Sequence, residues 1–458
     1  MEKSFFGVFG LGISGAATIK FMLERGYKFI AWDDSFDSMK SCQERLKISE
    51  ETLNIHDPES QIWGEVEYLI ASPGIPNLVS HRIFNKLRHD VKIICDVELF
   101  YMHFPNQKYI AITGTNGKST TTKLTEHVLN CNGQKAIACG NIGVPILAVV
   151  PKKNDVIVLE LSSYQLELIR EFRPHIASIL NITPDHIDHH GSMEAYIEAK
   201  KKIFLNQTPD DFLILNIDDP FLIAIYESLA KESNVNLISI SVKKVMPKGI
   251  SIIGANLYDA FGKKKIRLPK NKNLRGEHNL ANILASFAMV SAQNKLLTKN
   301  FIKAVRTYPG LAHRLQFLGE ANGIEFINDS KATNAASTQK ALISLKGDGD
   351  IFWIGGGLQK EEGIEPIKED LKNIKYAFLI GKAQSEFANL LDEIKVKYKL
   401  SNTLDIAFRD AMEIIKATND KRKKILLLSP ACASFDQWKN FEERGKRFIQ
   451  LVGEEIKK

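Results

Sequence analysis

Two glycine-rich stretches of this chain carry residue types that hold phosphate. The first, GLGISG, sets Gly10, Gly12 and Gly15 at dinucleotide-fingerprint spacing, and the apolar run KFIAWDD beyond the next helix ends in Asp33 and Asp34. That pattern cradles a diphosphate on a helix N-terminus, but it does not identify the nucleoside. The second, AITGTNGKSTTTKL, ends a strand at Thr113 and opens a helix at Gly117-Lys118-Ser119. Backbone N–H groups of Gly114, Thr115, Asn116 and Gly117 suit phosphate oxygens, Lys118 supplies a point charge, and Ser119 or Thr120 can hold Mg²⁺. Ile112 stands where the usual loop has its first glycine, so this is a shorter variant, Gly114-x-x-Gly117-Lys118-Ser119. Nucleotide binding is expected here.

Other polar residues follow apolar runs. Glu160, in LELSSYQLE, ends a strand and is placed to ligate Mg²⁺ beside the phosphate loop, with Ser162 and Gln165 expected along a substrate groove. Asn279 and Asn282, in GEHNLANILA, are amides suited to an adenine edge, although capping by Asn279 competes. The stretch DHIDHH invites a metallohydrolase reading, but Pro184 stands where such a motif needs histidine; His189 and His190 are expected to be surface turn residues. EAYIEAKKKIF reads as an amphipathic helix whose basic face covers Lys201 and Lys202.

The elements that must position these groups alternate strand and helix. Strands are expected in SFFGVFG, KFIAWDD, YLIASPG, KYIAITG, DVIVLELS, IASILNIT, DFLILNID, IEFINDS, DIFWIGGG, YAFLIG and KILLLSPA. Such unbroken apolar runs fit strands buried on both faces, hence α/β architecture with mostly parallel sheets. SVKKVMPKGISIIGANLYDAFGKKKIRLP looks like an antiparallel β insertion. A chain of 458 residues suggests about three domains, and breaks at FYMHFPNQK and RTYPGLAHR place them at 1–100, 101–308 and 309–458. The polar loops fall repeatedly at strand carboxyl ends, where open α/β sheets bind ligands.

The totals exclude little. The composition is 44% hydrophobic and 25% charged, and the net charge of +7 is mild. No basic stripe with interleaved aromatics appears, so nucleic acid is not an expected partner. Five scattered cysteines without CxxC pairing argue against disulfides or a zinc site and for a reducing cytoplasm. No apolar run is long enough for a membrane span. The first twenty residues mimic a signal peptide, but Glu2 offsets Lys3 and the glycines fall at phosphate-loop spacing, so they are read as part of the fold.

GTNGKST resembles the ATP loop of the Mur ligases and folylpolyglutamate synthases. ASPGIP, GNIG, LELSSYQLE, NITPDHIDHH, YIEAK, GEHNLAN, HRLQ, NDSKATN and LSPACASFDQWKNFEERG are similar, in order, to the Mur ligases that add D-glutamate to UDP-N-acetylmuramoyl-L-alanine. The resemblance implies three domains: a Rossmann-like N-terminal unit, a central P-loop ATPase-like parallel sheet with the β insertion, and a C-terminal doubly wound α/β unit. It also implies that the opening fingerprint holds UDP, not NAD, with Gly12, Ile13, Ser14, Asp33, Asp34, Ser72, Gly74, Asn141, Ser162 and Gln165 as contacts. His186 is implied as a metal ligand with Ser119 and Glu160, around two Mg²⁺ ions. Lys200, four residues after Tyr196, is implied to be carbamylated by CO₂ and to ligate metal. Arg314, Asp329 and Lys331 join the ATP set, and Thr333, Lys360, Ser434 and Phe441 are implied to hold D-glutamate. The implied protein is a cytoplasmic, monomeric, ATP-dependent ligase of peptidoglycan precursor synthesis working through an acyl phosphate, with Lys118, Glu160, His186 and Lys200 as its catalytic set.

Overall fold

The computed structural model describes residues 4–75, 80–232, 235–292, 296–359, 363–418 and 422–457. The chain divides into two compact units, Met1–Pro269 with Glu277–Thr307, and Lys270–Gly276 with Tyr308–Lys458.

The first unit holds two sheets. One contains β1 (Phe5–Phe9), β2 (Lys28–Trp32), β3 (Tyr68–Ala71) and β4 (Lys92–Ile94), all parallel, in the order β2-β1-β3-β4. Phe9 pairs with both Trp32 and Ala71, so the loops opening at Gly10, Asp33 and Ser72 leave one edge together. The helix Ile13–Glu24 packs tightly against the turn before it: a Cβ on Gly15 would lie 1.9 Å from the Gly10 carbonyl oxygen.

The other sheet has nine strands: β5 (Lys108–Thr113), β6 (Ala136–Gly140), β7 (Val156–Glu160), β8 (Ile176–Ile179), β9 (Phe212–Asn216), β10 (Asn236–Ser241), β11 (Ile250–Ile253), β12 (Asn256–Asp259) and β13 (Lys264–Arg267). Their order is β13-β12-β11-β10-β9-β8-β5-β7-β6. The expected insertion is antiparallel in its β11-β12-β13 hairpins, but β11 pairs parallel with β10 and so extends the sheet. Ile112 pairs with Glu160, Thr113 with Ile179 and Gly140 with Glu160, which brings four loops to one edge. Phe6, Phe21 and Phe100 share one continuous buried cluster with Tyr109, Leu159 and Leu161, so both sheets belong to a single core.

The second unit is built on β14 (Gln316–Ala321), β15 (Ile324–Asn328), β16 (Asp350–Gly356), β17 (Ile374–Ile380), β18 (Tyr398–Asn402) and β19 (Lys424–Leu428), in the order β14-β15-β19-β16-β17-β18. β14 is antiparallel to β15; the other pairings are parallel. Along β19, Ile425 and Leu427 enter the core on one face while Leu426 and Leu428 enter that on the other, as the two-residue period of a strand requires. Among the described residues no helix is long and apolar enough to cross a membrane.

Candidate functional site

The phosphate loop is held open by its neighbours. Gly114 and Gly117 have φ of +153° and +82°, and a Cβ on Gly117 would meet Asn282 Oδ1 at 2.5 Å. Asn181, which follows β8, clasps the loop: its Oδ1 accepts from Asn116 N–H at 2.8 Å and its Nδ2 donates to the Asn116 carbonyl at 3.0 Å. Thr115 Oγ1 lies 3.0 Å from Tyr196 Oη and accepts from Thr183 N–H at 3.0 Å. Lys118 heads the helix Lys118–Cys131, which also carries half-buried Ser119 and Thr120. Its Nζ folds back on the Gly114 and Thr115 carbonyls at 2.8 and 3.0 Å, covering the cradle a phosphate would enter.

Lys200 lies beside this loop. It sits on the helix Met193–Lys201, 1% exposed, donating to the Gly114 carbonyl at 3.2 Å and lying 4.4 Å from the Tyr196 ring centre. Burial, reinforced by the charge of Lys118, brings its ammonium down to about 7. Both lysines line a cavity of about 340 Å³ with Pro73, Gly74, Asn141, Ser162, Asp185 and His186 among its walls. Glu160 stands behind Asn141, 3% exposed. Its Oε1 accepts from Asn141 Nδ2 at 3.2 Å, while Oε2 is buried with no hydrogen-bond partner among the described residues. A buried carboxylate oxygen without a donor suits a cation, so the donor set fits Mg²⁺. His186 takes a left-handed backbone, φ +54°, and its exposed ring packs on Tyr164.

His189 and His190 are not the surface turn residues expected: they close the helix Ile187–His190 and both meet Glu167. The His190 side chain is fully buried, its Nδ1 2.7 Å from Glu167 Oε1, and His189 Nε2 lies 2.9 Å from Glu167 Oε2. Three other predicted residues face inward. Gln165 is 1% exposed, closes a capping box with Ser162 and donates to Asp96 Oδ1 at 3.0 Å, so it sits beneath a groove and not along it. Asn282 accepts from Thr121 Oγ1 and donates to Asn279 Oδ1, each at 3.0 Å, which places it under Gly117. Asp33 accepts from Leu11 N–H at 2.6 Å and Ser35 N–H at 2.8 Å; the acid that would hold a dinucleotide ribose braces the glycine turn instead. Asp34 is exposed, accepting from Trp32 Nε1 at 2.9 Å. Gly12 has open space around it, and Ile13 is exposed beside half-buried Ser14 at the helix start. Ser72 donates to the Gly10 carbonyl at 2.8 Å.

In the second unit Arg314 and Lys331 are exposed, and Lys331 Nζ lies 5.0 Å from the Phe441 ring centre. Asp329 is 7% exposed; its oxygens accept from Leu315 N–H at 3.1 Å and Ser429 Oγ at 2.8 Å, and burial pushes its carboxyl up to about 7. It therefore braces the turn that carries Arg314. Thr333 is half-buried, Ser434 is buried, and Phe441 opens the helix Phe441–Ile456 with its carbonyl accepting from Ser330 Oγ at 2.9 Å. Lys360 lies outside the described residues. Sequence reasoning passed over Asn181, Asp185, Ser163 and Tyr164; their signal was position, since each follows a buried strand that ends at the site edge.

Comparison with known proteins sharpens this picture. A family model described as the Mur ligase middle domain matches residues 112–290, and one described as the Mur ligase, glutamate ligase domain matches 313–432. The UDP-N-acetylmuramoylalanine–D-glutamate ligase of Rickettsia prowazekii is 40% identical over 451 residues, covering 98% of each chain. That of Paramagnetospirillum magneticum is 40% identical over 450 residues, covering 97% of this chain and 95% of its own. In solved structures the fold is shared with the UDP-N-acetylmuramate-alanine ligase MurC of Thermotoga maritima, at TM-score 0.58 and 18% identity over 99% of each chain. It is shared too with MurF of Acinetobacter baumannii, at TM-score 0.60 and 20% identity over 79% of each.

Proposed function

Since the chain belongs to the Mur ligase family, we infer that it is an ATP-dependent amide ligase joining D-glutamate to UDP-N-acetylmuramoyl-L-alanine in peptidoglycan precursor synthesis. The observation that carries this reading is the 40% identity to ligases of that name along 98% of the chain.

A carboxylate is anionic and lacks a leaving group, so it must be activated. An oxygen of the L-alanyl carboxylate attacks the γ-phosphorus of ATP, ADP leaves, and an acyl phosphate forms. The D-glutamate amine then attacks the acyl carbon, loses a proton, and expels phosphate as the amide forms. Transfer between two anions is a problem of positioning and charge. Lys118 is assigned to the phosphates, exchanging the Gly114 and Thr115 carbonyls for phosphate oxygens, with the N–H groups of Gly117 to Ser119 at the helix start behind it, since those of Thr115 and Asn116 donate to Asn181. Mg²⁺, held by Ser119, Glu160, His186 and a modified Lys200, would offset the phosphate charge. Lys200 is proposed as the carbamate: a neutral amine adds CO₂, loses a proton and becomes an anion. Its burial beside the loop and its lowered ammonium pKa support this.

The UDP portion is assigned to the first-sheet edge, at Gly12, Ile13, Ser14, Asp34, Ser72 and Gly74, with Asn141 and Ser162 toward the reacting end. Asn279 is assigned to the base, and Asn282 and Gln165 to holding their loops. In the second unit Arg314 and Lys331 are assigned to nucleotide phosphate, and Thr333, Lys360, Ser434 and the Phe441 backbone to D-glutamate. Residues 1–100, 101–308 and 309–458 are the proposed UDP, ATP and amino-acid domains. A cytoplasmic location suits the nucleotide substrates and the free cysteines.

The test is phosphate release with ATP, Mg²⁺ and UDP-N-acetylmuramoyl-L-alanine, adding D-glutamate, L-glutamate, L-alanine or L-lysine in turn. Release with D-glutamate alone is expected; release with another amino acid reassigns the specificity, and no release defeats the reading.

A further inference from the structure

The side chains of Glu167, His189 and His190 form a cluster that the ligase chemistry leaves unused, and we propose that it is a binding site for a zinc-class transition-metal ion. One ligand atom from each lies within 4.8 Å of the other two. Glu167 ends the short helix Ser163–Glu167, and the two histidines close the short helix Ile187–His190, so two separate segments converge on one point. The donors are two imidazole nitrogens and a carboxylate, which favour Zn²⁺ or its neighbours over Mg²⁺.

The donor atoms already converge. A tetrahedral zinc with ligands at about 2.0–2.2 Å places its donor atoms about 3.3–3.6 Å apart. Glu167 Oε1 lies 2.7 Å from His190 Nδ1 and Oε2 lies 2.9 Å from His189 Nε2, so the carboxylate spans both rings and a parting of the side chains admits the ion between them. The histidine mount is also built. His190 Nε2 lies 3.0 Å from Ser163 Oγ; with Nε2–H donating there, Nδ1 presents its lone pair to the cluster, the orienting contact that metal-bound histidines ordinarily have. The Tyr164 ring lies 4.2 Å from His189 and 5.7 Å from His190, limiting how either ring turns. The His190 side chain is fully buried while those of His189 and Glu167 keep partial exposure, so the fourth position opens toward water. Because His186 is the N-cap of the histidine helix, an ion here would fix the mount of a residue that borders the cavity.

The experiment uses the full chain, stripped with EDTA, exchanged into chelator-free buffer and titrated calorimetrically with ZnCl₂, beside His189→Gln, Ser163→Ala and Glu160→Gln. Expected are one Zn²⁺ per chain in the parent and in Glu160→Gln, loss of that binding in His189→Gln, and about 10–100-fold weaker binding in Ser163→Ala. Co²⁺ in place of Zn²⁺ should give four-coordinate visible bands that His189→Gln lacks. A His189→Gln chain that melts early in EDTA is replaced by Glu167→Gln, read the same way. No stoichiometric binding overturns the site. So does binding that survives His189→Gln but vanishes in Glu160→Gln, which would put the ion at the ATP-side carboxylate.

Discussion

Lys200 shows how one buried atom links stability to chemistry. Its ammonium is driven from its ordinary value to about 7, first by burial and then by Lys118. Between about 7 and the usual lysine value of about 10.5 the unfolded chain binds more protons than the folded one. The unmodified side chain therefore burdens stability fully below pH 7, and the burden fades as pH rises toward 10.5. Lys200→Met should melt above the CO₂-depleted parent at pH 6, and the gap should narrow by pH 10; thermal unfolding across that range checks it. Activity should go the other way. Lys200→Ala should lower phosphate release by about 10²–10³-fold, the cost of removing one positioned electrostatic group. In the parent, bicarbonate should restore CO₂-depleted enzyme readily above pH 7 and poorly below it, where the amine is protonated, as a pH series of initial rates would show. None of this is legible in YIEAK: the spacing from Tyr196 points to the lysine, but its burial depends on the phosphate loop arriving from elsewhere in the chain. The same holds for Glu160: Asn141, from the loop after β6, takes up Oε1 and leaves Oε2 bare, a pairing no local spacing announces.

At the scale of elements, the turn Gly10–Gly15 carries the sharpest steric demand. A methyl on Gly15 would overlap the Gly10 carbonyl, and the turn cannot yield easily because Ser72 and Asp33 hold it from two sides. Gly15→Ala should destabilise the first unit by about 1–3 kcal/mol, as overpacking does, and lower affinity for the UDP substrate. Urea unfolding and substrate titration would show both. Which strands could be read from sequence follows from the same packing logic. The eleven expected strands are all present, because strands covered on both faces are continuous apolar runs. Of the five outside the insertion that were not foreseen, β4, β6, β14 and β18 lie at sheet edges. KII, AIACG, QFLGEA and YKLSN are short, small or half polar because an edge strand is only partly covered, so the apolar signal weakens there. β10 is interior, but NLISIS mixes serine into its run and ran on into the polar insertion. The polar loops were legible as a set, since parallel strands deliver their carboxyl ends to one edge. Which of their side chains face a ligand was not: Asn282, Gln165 and Asp33 are held by internal hydrogen bonds that no spacing announces.

At the scale of the whole chain, seven residues from Lys270 to Gly276 join the second unit although the sequence on both sides of them belongs to the first. One buried carboxylate is central to that attachment. Glu325, on β15, has a fully buried side chain, and its oxygens meet Lys272 and Arg275 of that segment together with Lys423 before β19. Arg275 also reaches Asp348 at 2.8 Å, Lys272 reaches Glu320 at 2.9 Å, and the Asn271 and Asn273 side chains bond the backbone of Tyr308 and Phe317. PKNKNLRGE reads as a solvated basic run, and nothing in IEFIN marks its glutamate as the partner. Although burial alone would raise the carboxyl, the three cations hold it down at about 2, well below the usual range. A group lowered in the folded state stabilises above its unfolded value of about 4.5, and the gain is lost as pH falls toward 2. Glu325→Gln leaves the cations facing a neutral amide. It should destabilise the second unit by about 3 kcal/mol at pH 7, the low end for breaking a buried pair because the two lysines reach water. The difference from the parent should shrink steadily between pH 4.5 and 2, where the parent loses the same charge by protonation. Urea unfolding followed by tryptophan fluorescence at pH 7, 4 and 2.5 measures it. A difference that stayed constant with pH would assign the effect to packing of the side chain and leave the charge without a part in holding the segment.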